Sequence, residues 1–238
     1  MMSRTAALVL AGGQSRRMGQ DKALLSWPTE PQATPVPSAT PTAATTLLHQ
    51  VCTVAQACSS VTYVLTPWPE RYGHLLSDAI RLLPEPTVGN GPLGALAQGW
   101  SMILQDDRQP GPDWLLVLAC DMPALDVPTL QRWQQSLVDM AGSSEMAGAR
   151  ENERPIASLP RHNQRWEPLC GFYHRRCIPS LENALANNVR SFQRWLTDEN
   201  ERVTPLSVEN SHILQNCNTP GQWQQFLDRL GDRNPYPA

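Results

Sequence analysis

The chain has 238 residues, 41% of them hydrophobic and 17% charged, and these proportions indicate a globular protein. The length fits one large domain with a substantial core better than two independent domains. The formal net charge of −3 argues against a general nucleic-acid or membrane-surface binder, although an acidic protein can still bind a phosphate ligand locally.

The sequence carries no recognisable targeting or membrane-spanning segment. The first apolar run, Ala6–Ala11, is too short for a signal peptide, and no other run approaches the roughly 18 to 20 apolar residues that cross a bilayer. Six cysteines are present, without a C-x-x-C pair or the Cys/His spacing of a zinc site. We therefore expect a soluble, cytoplasmic protein whose cysteines are reduced thiols.

Three segments are predicted to form buried strands: Thr5–Leu10, Val61–Thr66 and Trp114–Cys120. The first and third are apolar without alternation, and the third reads WLLVLAC. Continuous hydrophobicity of this kind is typical of strands that are covered on both faces in a parallel sheet.

Helical patterns lie between and after these strands, and Asp126 is a candidate N-cap for one of them. Because strands and helices alternate, we predict a three-layer α/β fold in which helices cover both faces of a mainly parallel sheet. The predicted helices are Leu47–Ala57, Leu93–Leu104, Val127–Met140, Ile178–Ala186, Ser191–Leu196 and Gly221–Leu230.

One internal segment differs from the rest in composition. Pro28–Thr46 is rich in Pro, Thr and Ala and has almost no large apolar residues, so it cannot bury enough surface to offset the entropy of ordering it. We interpret it as a flexible insertion within a single domain spanning residues 1–230, and we expect Gly231–Ala238 to be a frayed tail.

The first motif that could carry chemistry follows the first predicted strand. Gly12 and Gly13 would let backbone N–H groups approach phosphate oxygens closely, and Arg16, Arg17 and Lys22 would neutralise a triphosphate. The segment has neither the Walker A spacing nor the dinucleotide fingerprint. A tight turn with solvated basic residues is the alternative for Gly-Gly alone, but the fifteen-residue pattern LVLAGGQSRRMGQDK favours a nucleoside triphosphate site.

The second motif is Asp121 in the sequence CDMP, at the end of the third predicted strand. Ligands of open α/β sheets bind outside the carboxyl ends of the strands, where a carboxylate can hold Mg²⁺ against phosphates. The alternative is a strand-ending Asp that caps the next turn.

Two further motifs could contact a base, a ribose or a phosphate. Gly89–Gly94 is typical of a turn that opens a helix, and either a plain turn or a contact with the base or ribose explains it. Arg190, with Arg175 and Arg176 upstream, could bind a phosphate in bidentate fashion, or these arginines could form a solvated basic face.

A pair of asparagines lies close to the last predicted helix. Asn216 and Asn218 point to the same side if the segment is extended. The alternative is that Asn218 or Thr219 caps the helix that begins near Pro220.

LVLAGGQSRRMGQDKALL resembles the opening of the molybdenum cofactor guanylyltransferases, within the wider Rossmann-like nucleotidyltransferase superfamily. The later motifs GPLGAL, LACDMP, PLCGFYHRR, VRSFQRWL and NCNTP follow in the family's order, so the resemblance spans Ala6 to about Leu230. Cytidylyl- and sugar nucleotidyltransferases share the first motif, whereas its combination with GPLGAL and the closing NxNTP is more specific. The resemblance implies a sheet of the nucleotide-diphospho-sugar transferase type.

The resemblance also implies a reaction: GMP passes from GTP to the terminal phosphate of molybdopterin, with Mg²⁺ as cofactor, and pyrophosphate is released. It places Lys22, Asp121 and Arg17 in catalysis, with Asp121 as the metal ligand. It places Arg190, Asn216 and Asn218 on the pterin substrate. The nucleotide-binding residues that it implies are Leu10, Ala11, Gly12, Gly13, Lys22, Glu85, Gly91 and Asp121.

The sequence departs from the family pattern after the second strand, where Thr66-Pro67 stands in place of a frequent Asn. Two alternative functions remain open: a cytidylyl- or sugar-phosphate nucleotidyltransferase of the same fold, and a nucleotide-binding regulator that has lost catalysis. The expected partners are GTP and molybdopterin, and from the pathway alone molybdopterin-loading proteins or apo-molybdoenzymes. Neither nucleic acid nor membrane is expected to bind.

Overall fold

A computed structural model describes residues 4–13, 17–28, 46–87, 89–108, 110–142 and 150–232. Residues 29–45 of the predicted insertion, residues 233–238 of the predicted tail, and Arg16 lie outside the described residues. The predictions made for those segments therefore stay predictions.

The described residues form an eight-stranded sheet, and the predicted α/β fold with a mainly parallel sheet is confirmed. The strand order is β3-β2-β1-β4-β7-β5-β6, with β8 paired to β5. The first four strands are mutually parallel, whereas β7 runs antiparallel to both β4 and β5. The strands are β1 (Thr5–Leu10), β2 (Thr62–Thr66), β3 (Ile80–Pro84), β4 (Trp114–Ala119), β5 (Ala157–His162), β6 (Arg165–Trp166), β7 (Cys170–His174) and β8 (Val203–Leu206).

The predicted helices all form, with ends that agree to within two residues. Asp126 is an N-cap as predicted, because its Oδ1 accepts a hydrogen bond of 2.8 Å from the Thr129 N–H. The last helix continues through Asp232, into the segment predicted to be frayed. The helices are α1 (Leu47–Gln56), α2 (Pro69–Tyr72), α3 (Gly91–Leu104), α4 (Val127–Ala141), α5 (Ile178–Ala186), α6 (Phe192–Asp198) and α7 (Pro220–Asp232).

Two hydrophobic cores lie on opposite faces of the sheet. In β1, Ala7 and Val9 belong to the core that α1, α4 and α7 cover, while Ala6 and Leu8 belong to the core beneath α3, α5 and α6. All four side chains are buried, so the strand has no polar face. This two-sided burial gives the three layers and fixes the carboxyl end of β1 between them.

Helix α7 is attached to the segment that follows Lys22. The Trp27 ring lies 6.3 Å from the ring of Trp223 and 5.5 Å from that of Phe226, measured between centroids. Aromatic pairs at these distances add to the stabilisation that comes from burying their surface. The last described helix is therefore joined to the N-terminal part of the chain.

Gly171 in β7 lies against β5 at a position that excludes a side chain. A Cβ atom built there would lie 2.7 Å from Leu159 Cδ2 and 2.8 Å from the Ser158 carbonyl oxygen. We expect Gly171→Ala to lower the free energy of unfolding by about 1–3 kcal/mol, the usual cost of overpacking, as measured by urea denaturation. In Gly221→Ala, the control, the new Cβ meets no described heavy atom within 4 Å and alanine is the better helix former in α7, so stability should not fall. Equal unfolding midpoints for the two variants would contradict this reading of the β5–β7 contact.

No helix in the described ranges is both long and apolar enough to cross a membrane.

The six cysteines are free thiols in the structure. Burial raises the pKa of Cys52 to about 12 and the pKa values of Cys58 and Cys217 to about 11. Because the thiolate is the reactive form, we expect the five buried cysteines of the native protein to react with Ellman's reagent at pH 8 at least about a hundredfold more slowly than those of the unfolded chain, the half-buried Cys120 being set apart. Raising the pH from 8 to 9.5 should accelerate the native reaction. A fast phase of more than one thiol per chain in the native protein at pH 8 would contradict the burial of these five.

Candidate active site

A cavity of about 390 Å³ opens at the carboxyl ends of the parallel strands. Segments after β1, β3 and β4 and the start of α3 line it, because parallel strands end at the same edge of the sheet. Sequence positions more than two hundred residues apart meet there. The predicted site residues that line the cavity are Leu10, Ala11, Gly12, Gly13, Lys22, Glu85, Gly91, Asp121 and Asn216.

The Gly-Gly loop continues β1 along the wall of this cavity. The Ala11 N–H donates to the Leu65 carbonyl at 3.0 Å, which holds the loop beside β2. A Cβ atom on Gly12 would lie 2.9 Å from Glu85 Oε2 and 3.2 Å from Pro67 Cδ, so a side chain at this position would require Glu85 and Pro67 to shift. Gly12 thus lies close to Glu85, and the approach of the loop to a phosphate ligand stays a prediction.

Glu85 reaches the cavity from the end of β3. Its backbone N–H donates to the Thr66 carbonyl at 2.8 Å, and partial burial raises the pKa of its carboxyl group. Thr66 itself uses its hydroxyl to accept a hydrogen bond from the Trp68 N–H at 3.1 Å. At the position where the family often has Asn, the side chain of Thr66 thus stabilises the turn that follows β2.

Lys22 is positioned by the residue before it. Asp21 caps a short 3₁₀ turn, since its Oδ1 accepts from the Ala23 N–H at 3.1 Å, and its Oδ2 accepts from the Tyr72 hydroxyl at 2.7 Å. Lys22 Nζ donates to Asp121 Oδ2 at 2.9 Å and to Asn218 Oδ1 at 2.6 Å. The side chains of Lys22, Asp121 and Asn218 form a polar cluster at the carboxyl ends of the strands, which we call the Lys22 cluster.

The Lys22 cluster is largely withdrawn from water. The Lys22 and Asp121 side chains are 16% and 15% exposed, so their attraction is screened less than that of a surface ion pair. Lys22 is also the only lysine in the chain, the other cationic side chains being arginine. A compact ammonium group, unlike a planar guanidinium, can direct its donors to two acceptors and then to a phosphate.

Asn216 and Asn218 both lie at this site. The alternative that this segment caps the last helix holds for Thr219 and not for Asn218. Asn216 lines the cavity, and Asn218 accepts from Lys22, as given above. Thr219 rather than Asn218 caps α7, because its Oγ1 accepts from the Gln222 N–H at 3.3 Å. The Cys217 N–H donates to the Asp121 carbonyl at 2.9 Å, which ties the segment to the end of β4.

The donor set around Asp121 fits a metal ion that arrives with a phosphate ligand. No group of three or more His, Cys, Asp or Glu side chains in the described part of the chain could hold a metal by itself. Mg²⁺ at nucleotide sites is commonly bound by one or two carboxylates together with phosphate oxygens and water. Asp121 supplies such a carboxylate at the carboxyl end of a central strand.

The remaining predicted arginines lie at or beyond the rim. Arg190 is exposed, but its Nη1 donates to Asn90 Oδ1 at 3.2 Å, and its carbonyl oxygen would lie 3.9 Å from a Cβ on Gly91. Arg17 is exposed and does not line the cavity. Arg176 pairs with Glu151 Oε1 at 2.7 Å, so its described contact is an ion pair away from the cavity.

Comparisons with known proteins match nearly the whole chain. The MobA-like NTP transferase domain matches residues 7–203. A Nostoc sp. relative named probable molybdenum cofactor guanylyltransferase is 40% identical over 237 residues, which cover 100% of this chain and 97% of the relative. The chain belongs to the molybdenum cofactor guanylyltransferase family. A Synechococcus elongatus protein of the same name is 38% identical over 221 residues, covering 92% of this chain and 96% of its own.

Solved structures show the same fold as this family member. Molybdopterin-guanine dinucleotide biosynthesis protein A from Archaeoglobus fulgidus aligns with a TM-score of 0.66 at 19% identity, covering 95% of this chain and 99% of its own. A nucleotidyl transferase from Methanothermobacter thermautotrophicus aligns with a TM-score of 0.64 at 17% identity, covering 97% and 99%. The resemblance stated from the sequence motifs is confirmed, and so is the fold class.

Sequence reasoning missed two polar residues of this guanylyltransferase-family site. Asp21 could have been found, because it directly precedes Lys22 in the quoted motif. Tyr72 gave no signal, because its position depends on the unpredicted helix α2. Burial and the neighbouring Asp21 carboxylate raise the pKa of Tyr72 well above its usual range, so it acts as a hydrogen-bond donor.

Proposed function

We propose that this chain transfers GMP from GTP to the terminal phosphate of molybdopterin, forming the guanine dinucleotide cofactor and releasing pyrophosphate. The observation that carries the proposal is the Lys22 cluster, in which Lys22 and Asp121 meet at 2.9 Å beside the Gly12 loop. The names of the full-length relatives support the same substrates.

The reaction requires positioning and charge screening more than covalent chemistry by the protein. An oxygen of the acceptor phosphate attacks the α-phosphorus of GTP in line, the new P–O bond forms, and the bond to the leaving pyrophosphate breaks. The acceptor phosphate carries most of its charge at pH 7, since its second pKa is about 6, so no general base is needed. The protein has to hold both partners together and stabilise the charge that develops on oxygen.

Each residue near the phosphates has a role in this proposal. The backbone N–H groups of Gly12 and Gly13 bind phosphate oxygens, and Lys22 stabilises negative charge on the α-phosphate and the leaving group. Arg17 joins Lys22 when its side chain turns toward the bound nucleotide. Asp121 would hold Mg²⁺, which when bound neutralises phosphate charge and orients the triphosphate.

The two substrates meet at the Lys22 cluster. Leu10, Ala11, Glu85 and Gly91 contact the nucleoside on the side of β2 and β3. Arg190, Asn216 and Asn218 contact the pterin substrate. The bond from Lys22 to Asn218, at 2.6 Å, gives Asn218 the additional role of positioning the lysine between the substrates.

The test is turnover with each of the four nucleoside triphosphates, with and without molybdopterin and Mg²⁺, measured as released pyrophosphate. We expect release only when GTP, molybdopterin and Mg²⁺ are all present. Preference for CTP, or for a sugar phosphate as acceptor, would support the related nucleotidyltransferase activities instead. Tight GTP binding without turnover would support a regulator and would overturn the proposal.

The proposal also includes the cellular compartment and the protein partners of the reaction. Six free cysteines support a reducing compartment, and we place the enzyme in the cytoplasm. Because the product is a cofactor, proteins that deliver molybdopterin and apo-molybdoenzymes that receive the dinucleotide are proposed as partners.

A further inference from the structure

A second cavity, of about 240 Å³, lies next to the one just described, and Asn216 lines both. We call it the amide pocket, because Gln215, Asn216, Gln222 and Gln225 line it together with Arg229. We propose that the amide pocket binds the pterin ring of the acceptor. This inference rests on the proposed function and adds a binding site for the second substrate.

The chemistry of the lining suits a flat heterocycle with an amide-like edge. A carboxamide carries both N–H donors and an oxygen acceptor. The oxygens of Gln215 and Gln222 already accept hydrogen bonds, so these two side chains offer donors to a pterin edge, while Asn216 and Gln225 can offer both kinds of group. Phe226 and Pro123 add apolar surface for the ring face. No carboxylate is among the lining residues, so the pocket does not repel an acceptor that carries a phosphate.

Arg229 is held in place although it is exposed. Its Nε donates to the Gln225 carbonyl at 3.0 Å, and its Nη1 donates to Gln215 Oε1 at 3.1 Å and lies 3.3 Å from His212 Nδ1. Its Nη2 has no hydrogen-bond partner among the described residues. A guanidinium group that is already oriented loses less side-chain entropy when it binds a ligand carbonyl or ring nitrogen.

The amide pocket is linked to the Lys22 cluster through one short segment. Asn216 lines both cavities, Cys217 is bonded to the end of β4, and Asn218 contacts Lys22. Gln222 Oε1 also accepts from the Asn218 N–H at 2.8 Å. A ring bound in the amide pocket would therefore direct its phosphate-bearing arm past Asn216 toward Lys22, where the attack on GTP takes place.

The experiment compares the double variant Gln225→Ala/Arg229→Gln with wild-type protein and with Gln224→Ala. Gln224 lies on the same helix but bonds to Asp228 Oδ1 at 2.9 Å and does not line the pocket. We expect the double variant to raise the KM for molybdopterin about tenfold or more, with unchanged KM for GTP, while Gln224→Ala behaves as wild type. Quenching of 6-hydroxymethylpterin fluorescence should show the same loss of affinity without turnover.

The outcomes separate this inference from the proposed function. If wild-type protein uses molybdopterin and the double variant has the wild-type KM and the wild-type pterin affinity, the amide pocket is not the pterin site, and the proposed function stands. If wild-type protein does not use molybdopterin at all, both fall. Should the double variant unfold at a lower temperature than wild type, the same two measurements on Gln215→Ala decide the question.

Discussion

Replacing Asp121 with asparagine is expected to lower the turnover number by about a hundredfold or more while the protein stays folded. In the unsubstituted protein, Lys22 Nζ lies 2.9 Å from Asp121 Oδ2. Asparagine keeps an oxygen that can accept from Lys22 Nζ, but it removes the negative charge. Without that charge, the proposed Mg²⁺ would lose its carboxylate ligand and Lys22 would lose its ion-pair partner. The measurement is pyrophosphate release at saturating GTP, molybdopterin and Mg²⁺, with thermal unfolding as the check on folding.

Asp139→Asn is the matched control for this variant. Asp139 is exposed on α4 and accepts from Gln135 Nε2 at 2.9 Å. It does not line the cavity. We expect normal turnover from it. Near-normal turnover of the purified Asp121→Asn or Asp121→Ala protein would overturn the role given to Asp121, and with it the proposed reaction.

Lys22→Met is expected to reduce kcat/KM for GTP by about a hundredfold or more, because the only lysine of the chain, the proposed partner of the phosphates, is lost. Lys22→Arg should restore little of this activity. A guanidinium group is larger and holds its donors in one plane, so it does not match the tetrahedral donors that one ammonium group can direct to Asp121 at 2.9 Å, to Asn218 at 2.6 Å and to a phosphate. Steady-state kinetics and calorimetric GTP binding together separate an effect on affinity from an effect on turnover.

The control for the Lys22 variants is Arg132→Met, which removes an exposed cation that pairs with Glu209 at 3.4 Å. Surface ion pairs of this kind contribute little, so both activity and stability should be unchanged. Full rescue by Lys22→Arg would show that charge alone matters at this position, and the geometric argument for a lysine would then be wrong.

The central part of the fold could be predicted because its burial is encoded locally. Thr5–Leu10 is apolar on both faces, and the observed β1 has the predicted ends. The edge strand β3 was missed, since Arg81 and Pro84 interrupt its apolar pattern and only part of the strand is buried. Strand β7 was also missed as a strand, because CGFYH is short and becomes a strand only by pairing antiparallel with β4.

In the candidate site, too, the residues of local motifs could be predicted, and the contacts between distant segments could not. The glycine loop, Lys22 and Asp121 follow predicted strands or belong to one motif, so their residue types indicated phosphate and metal chemistry. The contact of Glu85 with Gly12 depends on the pairing of β3 with β2, which the sequence pattern did not reveal. The bond between Lys22 and Asn218 joins residues 196 positions apart, and only the folded chain brings them together.

That bond also sets the order in which the site can be completed during synthesis. A ribosome delivers the chain from its N-terminus at about 5–20 residues per second, so the Gly12 loop emerges long before Asn218. Until α7 is made, Trp27 lacks Trp223 and Phe226, and Lys22 lacks one of its two acceptors. A chain that ends before Asn218 therefore has the Gly-Gly loop but lacks one of the two acceptors of Lys22 and the aromatic contacts of Trp27.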